Sequence, residues 1–267
     1  MLALRDSTPL LKTLQQPWPI FRCNLNQMPR SPRRPARSVS ASAAKQRLLK
    51  SLVCSDAPEQ ALRLRGFRLI AGVDEVGRGC LFGPVVAAAV ILPERIDALA
   101  RAGLKDSKQL THLQRESLDH LIRATALAIS IAEVDAATID RVNIYQATRL
   151  AMLSAVRALA IAPDHLLIDA MQLDHSCPQT KLIHGDALSL SIAAASIVAK
   201  VHRDRMMCEL DATHPGYGLA AHKGYATAQH LRALILLGPT PLHRLTFAPV
   251  KACTHIASPV TPFTLSS

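Results

Sequence analysis

The stretch Ala71-Gly-Val-Asp-Glu-Val-Gly-Arg-Gly79 constrains this chain more than any other. An apolar run leads into two adjacent acids, then breaks at two glycines that flank an arginine. Carboxylates at the end of a buried strand are costly unless something compensates them. Arg78 is the one basic residue close to Asp74 and Glu75 in sequence, so a plain structural ion pair explains the two acids badly. Two further acids close apolar runs: Asp169 in His165-Leu-Leu-Ile-Asp169, and Asp186 in Lys181-Leu-Ile-His-Gly-Asp186. Singly, each has an ordinary explanation, since acids often end strands and Asp186 could cap a following helix. Gathered at the strand ends of one sheet, the four would form a magnesium or manganese site, because hard cations prefer oxygen ligands.

The 267 residues suffice for one large core, with or without a tail. Hydrophobic residues make up 49% and aromatics only 3%, so small and branched aliphatics must fill that core. No uncharged apolar run approaches the roughly 18–20 residues of a membrane span. The chain is therefore expected to be soluble, and cytoplasmic. Its net charge of +11 is unevenly placed. Residues 1–65 hold 12 of the 31 Lys and Arg and 3 of the 20 Asp and Glu, a net +9 that leaves +2 for the remainder. Charge alone does not make the rest a nucleic-acid binder. The six cysteines are scattered with no Cys-x-x-Cys pair, which argues for free thiols in a reducing compartment and against zinc.

Residues 1–65 read as a basic, disordered extension. The segment Met28-Pro-Arg-Ser-Pro-Arg-Arg-Pro-Ala-Arg-Ser38 is too rich in Pro, Arg and Ser to pack. Its composition also suits a transit peptide or a start codon placed too far upstream. A short helix is allowed around 44–64. The regular domain is expected over 66–252, followed by a flexible tail at 253–267. Within it, strands are expected at 67–76, 84–92, 126–134, 164–169 and 181–183. Helices are expected at 111–125, capped by Thr111, and at 143–159, 189–207 and 226–236. This order gives an α/β fold with a mixed sheet.

Three motifs are set aside. Gly77-Arg-Gly-Cys-Leu-Phe-Gly83 looks like a dinucleotide fingerprint, but Pro84 and a strand follow where a helix should open on a pyrophosphate. His202-Arg-Asp204 matches a kinase triplet, but lies inside a helix with no Asp-Phe-Gly after it. His214, His222 and His230 are read as surface or core-satisfied histidines rather than metal ligands.

From Leu69 to Val250 the chain resembles the ribonuclease HII family. The resemblance rests on Gly72-Val-Asp-Glu-Val-Gly-Arg-Gly79, Gly83-Pro-Val-Val-Ala-Ala-Ala-Val-Ile-Leu92, Asp106-Ser-Lys108 and Asn143-Ile-Tyr-Gln-Ala-Thr148. It continues through Ile168-Asp169, Gly185-Asp186, Ile192–Val201, His222-Lys-Gly-Tyr225 and His243-Arg244. The related ribonuclease HIII usually carries lysine where Arg78 stands. This chain departs from the family pattern at Cys80, where proline is common, and at Phe82, where a small residue is common. It departs again at Ala170 and His184, where glycine is common. Phe82 and His184 are expected beside the site, where they would affect substrate approach.

The resemblance implies a ribonuclease H-like fold, a central mixed β-sheet flanked by helices with a helical C-terminal part. It implies two divalent ions, Mn2+ or Mg2+, on Asp74, Glu75, Asp169 and Asp186. The implied reaction is hydrolysis of the RNA strand of RNA/DNA hybrids and incision 5′ of ribonucleotides embedded in duplex DNA, leaving 5′-phosphate and 3′-hydroxyl. Backbone groups of Gly77, Arg78 and Gly79 would sense the 2′-hydroxyl, and Tyr225 would stack on the sugar that follows. Lys108, Lys200 and Arg203 would contact phosphates. A monomer with no membrane association is expected. The contrasting reading is a module of the same fold that grips hybrids without cutting. Adjacent residues on a regular strand face opposite ways, so Asp74 and Glu75 can share a site only where the strand ends or bends.

Overall fold

A computed structural model describes residues 52–105 and 107–254. Five strands form one mixed sheet: β1 (Ile70–Val76), β2 (Val85–Ile91), β3 (Ala128–Val134), β4 (His165–Asp169) and β5 (Gln179–Leu182), in the order β3-β2-β1-β4-β5. The β1–β2 and β2–β3 pairs are antiparallel, and β1–β4 and β4–β5 are parallel. Every residue of β2 is buried, because helices cover both faces of the sheet. Its odd positions, Val85, Ala87, Ala89 and Ile91, share a core with Ala147, Ala151, Met152 and Ala155. Its even positions, Val86, Ala88 and Val90, share one with Leu118, Ile122, Ala194 and Ile197. Each fully buried Val, Leu or Ile contributes about 1.5–3 kcal/mol, so the Ala/Val/Ile pattern of this strand accounts for a three-layer fold with almost no aromatic residues.

The helices in chain order are α1 (Ala57–Leu64), α2 (Asp97–Arg101), α3 (His112–Thr125), α4 (Ala136–Val142), α5 (Ile144–Arg157), α6 (Leu190–Thr213), α7 (Leu219–His222), α8 (Ala228–Leu237) and α9 (Ala248–Thr254). The expected cap of α3 is present. Thr111 accepts from the Gln114 amide and the Gln114 side chain returns to the Thr111 amide, a pairing worth about 1 kcal/mol. Helix α6 runs six residues past its expected end, and α2, α4, α7 and α9 lie in stretches left unassigned from sequence.

Helix α6 positions the site. At Gly72 a Cβ would sit 2.0 Å from the Ser191 carbonyl carbon, so glycine there lets the first turn of α6 lie directly on β1. That turn is held from outside the expected domain. Glu59 on α1 is buried and accepts from the Ser189 hydroxyl at 2.6 Å and the Ser191 amide at 2.9 Å. Leu62 packs with Ile70, Leu167 and Ile192. The folded body therefore begins upstream of residue 66, because a helix inside the presumed extension carries a capping acid and a core leucine. The remainder of that extension, residues 1–51, lies outside the described residues, as does 255–267. At the other end, Cys253 packs at the edge of the C-terminal cluster of Phe82, Met207, Tyr217, Leu219, Leu234 and Val250.

Candidate active site

Strand β1 pairs with β4 only as far as Val73–Ile168, whereas its pairing with β2 continues to Val76. The parallel strands thus part at Asp74 and Asp169, which open a crevice at their carboxyl ends. Asp74, Glu75 and Asp169 each bring a carboxylate oxygen to within 4.8 Å of the other two. The neighbouring acids share a site although β1 stays paired with β2 through Val76; what stops before them is the pairing with β4. Asp186 stands just behind, on a single 3-10 turn at 185–187. Its Oδ2 meets the Lys108 ammonium at 2.6 Å, so it is paired with a cation while the other three crowd one another.

The electrostatics fit a cation site. Burial, then Glu75, Asp169 and Asp186 in turn, hold the Asp74 carboxyl well above the usual carboxylate range. Asp169 is raised chiefly by burial, against a hydrogen bond of 2.7 Å from the Gly185 amide. Glu75 is also raised by burial, although Arg78 reaches its Oε1 at 3.3 Å. Its other oxygen, Oε2, is buried with no hydrogen-bond partner. Three crowded carboxylates, one with an orphaned buried oxygen, are a donor set suited to a hard divalent ion.

These acids floor a cleft of about 250 Å³ that is also lined by Gly77, Arg78, Gly79, Lys108, Lys200 and Tyr225. Tyr225 is 41% exposed at its edge. Lys108 is largely exposed and tied to Asp186, while Lys200 pairs with Asp204 at 2.7 Å. Most of the residues expected at the site thus converge. Two do not behave as expected.

Arg203 does not face phosphate. It is fully buried, and its guanidinium donates to the carbonyls of Phe82 at 2.9 Å, Pro84 at 3.1 Å and Lys223 at 2.8 Å. It lies one helical repeat past Ser196 and one turn before the buried Met207, on the inward stripe of α6. Phe82 does not border the cleft either. It is buried in the C-terminal cluster, edge-on to His243 at 4.7 Å. His184 is half-buried near Asp169, and both it and Ala170 hold left-handed backbone, with φ of 59° and 49°. Those are the two positions where the family commonly has glycine.

The loop after β1 is built on two buried arginines. Gly77 has φ of 89°, and a Cβ there would fall 2.3 Å from the Arg203 Nε, so only glycine fits over that guanidinium. Arg244, also fully buried, donates to the carbonyls of Arg78 at 2.8 Å and Gly83 at 3.0 Å. Backbone bonds from Leu81 to Gly224 and from Gly83 to Leu242 stitch the same loop to the segments bearing Tyr225 and His243. Other contributors escaped the reading of the sequence. Ser196 hydrogen-bonds to Asp74 and meets Ser107 at 3.0 Å. Arg115 lines the cleft and braces the Lys108 loop through the carbonyls of Ser107 and Leu110. The small-residue face of α6 was the one signal for Ser196; Arg115 looked like any exposed helical arginine.

The family model for ribonuclease HII matches residues 71–250. A ribonuclease HII of Koribacter versatilis is 57% identical over 212 residues, covering 79% of this chain and 82% of its own length. One of Bacillus subtilis is 54% identical over 194 residues, covering 73% and 75%. Among solved structures, the ribonuclease H2 of Pyrococcus horikoshii OT3 superposes with a TM-score of 0.62 at 26% identity, covering 70% of this chain and 97% of that one. Bst-RNase HIII in complex with Mn2+ gives 0.56 at 25% identity, with 72% and 70% covered. A match that begins inside β1, spans the carboxylates and the braced loop, and ends in α9 means that this chain belongs to the ribonuclease HII family.

Proposed function

We propose that Asp74, Glu75, Asp169 and Asp186 hold two divalent ions, Mg2+ or Mn2+, and that this site cuts on the 5′ side of a ribonucleotide, leaving 5′-phosphate and 3′-hydroxyl. Family membership makes the protein an endoribonuclease of the ribonuclease H type, acting on RNA/DNA hybrids. The observation that carries the proposal is the crowding of three carboxylates, with the buried Oε2 of Glu75 left without a partner. Ions bound there would supply Lewis acidity, lowering the pKa of water and stabilising charge on the leaving oxygen.

The chain's own groups do the rest. Asp74 and Asp169 would hold a cation from two paired strands that cannot move apart without breaking the sheet. Lys108 stands between Asp186 and the open cleft, where its exposed amine is placed to meet a phosphate, and Lys200 lies on the cleft wall. Gly77, Arg78 and Gly79 line the cleft, and the two glycines put no side chain there, which suits close approach of their backbone to a 2′-hydroxyl, the group that marks RNA. Tyr225 offers a half-exposed ring for the sugar on the 3′ side. A single embedded ribonucleotide in duplex DNA then suffices as substrate, alongside long hybrids. The protein is proposed to work as a monomer in the cytoplasm; the absence of a disulfide among the described residues suits a reducing compartment.

The test is cleavage of duplex DNA carrying one ribonucleotide, with the cut mapped and a chelator control. Tyr225→Ala should lose about 1–3 kcal/mol of transition-state binding, taking base stacking on aromatic rings as the guide. The loss should be greatest at the RNA–DNA junction and smaller inside long hybrids. An equal loss on both substrates would make Tyr225 a packing residue. Cleavage of hybrids with none at the single ribonucleotide would remove the junction-reading part of the proposal.

A further inference from the structure

Behind Tyr225, on the side away from the cleft, lies a chain of buried histidines that the hydrolytic chemistry does not use. His230 and His243 are both fully buried. Their Nε2 atoms are 3.2 Å apart. The Nδ1 of His243 lies 2.9 Å from the Thr240 amide, which can only donate. The Nδ1 of His230 lies 3.0 Å from the Tyr225 carbonyl, which can only accept. The Thr240 hydroxyl also lies 3.0 Å from the His243 Nδ1 and suits either role. With the shorter contact from the Thr240 amide made, His243 accepts at Nδ1, so its proton sits on Nε2 and points at His230. His230 accepts at Nε2, and its own proton sits on Nδ1 and points at Tyr225. The row runs in one direction, from the Thr240 amide to the Tyr225 carbonyl, with both rings neutral. An added proton on either ring would face an N–H against an N–H.

The surroundings hold this order. His222 stacks on His230 at 4.5 Å and has an order of its own, accepting from the Gly224 amide and donating to the Tyr217 carbonyl. Phe82 stands edge-on to His243 at 4.7 Å, and Tyr217 lies 5.0 Å from it. The Tyr225 carbonyl takes a second bond from the Thr227 amide, and the Tyr225 amide bonds to the His222 carbonyl. The main chain of Tyr225 is thus fixed on both sides of its Cα, and the direction of the Cα–Cβ bond into the cleft follows.

We propose that His230 and His243 are positioning residues for cleavage, a relay of hydrogen bonds that sets Tyr225 at the cleft edge from the turn at Thr240. The proposal rests on the reading of Tyr225 as the residue that stacks on the sugar after the ribonucleotide. It also explains the burial of Phe82: the ring that was expected beside the substrate wedges His243 instead.

Two experiments on the full-length protein decide it. In the first, long-range 15N NMR of the imidazoles near neutral pH should show His230 protonated at Nδ1 and His243 at Nε2. The opposite tautomer, or a charged ring, at either position overturns the relay, and this needs no variant. In the second, kcat/KM is measured on duplex DNA with one ribonucleotide for Tyr225→Ala, His230→Phe and the double variant. His230→Phe should lose about threefold to tenfold, mostly through KM, as expected for one hydrogen bond. In the double variant it should add nothing beyond Tyr225→Ala. His230→Asn, whose Nδ2 takes the place of Nδ1, should restore most of the activity. Full additivity with Tyr225→Ala, or no rescue by asparagine, overturns the proposal while leaving the stacking role of Tyr225 intact. A silent Tyr225→Ala marks instead the failure of the stacking role, and it removes the relay's part in cleavage even where the tautomers are as expected.

Discussion

Two groups of buried charge flank the end of β1 and are treated in opposite ways. At the end of β1, three carboxylates are pressed together, and one carries an oxygen with no partner. Under the following loop, Arg203 and Arg244 are fully buried, and between them they donate to five carbonyls, those of Arg78, Phe82, Gly83, Pro84 and Lys223, with the Arg244 Nη2 left over. Buried charge spread over fixed dipoles is framework. Like charges crowded against one another are kept for something that arrives from outside. The family signature carries the crowded acids and the loop that the two arginines brace, but not the arginines themselves, which is why its roles separate only in three dimensions.

The sharpest break of this comparison is at Arg203. Arg203→Met should destabilise the fold by about 3 kcal/mol or more, since each carbonyl left unpaired costs about 1–3 kcal/mol. Denaturant melts measure this. An unchanged melt combined with a weaker salt dependence of binding would return Arg203 to the role of phosphate contact.

Next in size, Asp74→Asn or Asp169→Asn should cost at least about a hundredfold in rate, each removing a charged ligand from the site that carries the chemistry. The fold should survive and, in chelator, gain stability, because like charges no longer crowd. The sign follows from the raised pKa of Asp74. The native state holds its proton more tightly than the unfolded chain, so wild-type stability is lost as pH rises above the ordinary value of 3.8. The advantage of Asp74→Asn should therefore be largest near neutrality and shrink as pH falls toward that value. Turnover near wild type at saturating magnesium would sink the assignment.

A smaller effect is expected at Ala170 and His184, which flank the acids in left-handed backbone. Replacing either by glycine should relieve strain and stabilise by about 0.5–1 kcal/mol, net of the extra freedom of glycine in the unfolded chain. Thermal melts of the two single variants measure it; a loss of stability would mean that their side chains contribute more than their backbone costs.

The smallest effect concerns residues 1–50, which carry ten basic residues and one acid. Deleting them should leave the cut position unchanged, and should flatten the salt dependence of binding if they touch nucleic acid. Identical slopes would mean an idle extension. A deletion to residue 65 should behave differently, because it also removes Glu59 and Leu62 and strips the cap from α6.

The strands were legible because their apolar runs end abruptly at acids, prolines and glycines, and three of the four acids were legible as a cluster for the same reason. The pairing of Asp186 with Lys108 was not, since it depends on where a polar loop folds back. Arg203 was misplaced because a guanidinium signals surface unless its helical phase is weighed against Ser196 and Met207. Helix α1 falls within the short helix allowed at 44–64, but its part in the folded body was not legible, because its composition matches the basic stretch before it and only Glu59 and Leu62 turn inward. The histidine row was spread over two segments, so its order could not be seen along the chain.

The bonds from Arg244 to Gly83 and Arg78 span 161 and 166 residues of sequence. During synthesis, domains fold as units with their N-terminal parts emerging first. The acids of β1 leave the ribosome early, but the loop that follows them cannot take its final shape until residue 244 is free. An incomplete chain therefore carries most of its acids without the loop proposed to read the substrate. Ribosome-stalled chains ending before and after residue 244 should differ in discrimination between RNA and DNA strands, and protection of the Leu81 and Gly83 amides from exchange should come only with the longer one.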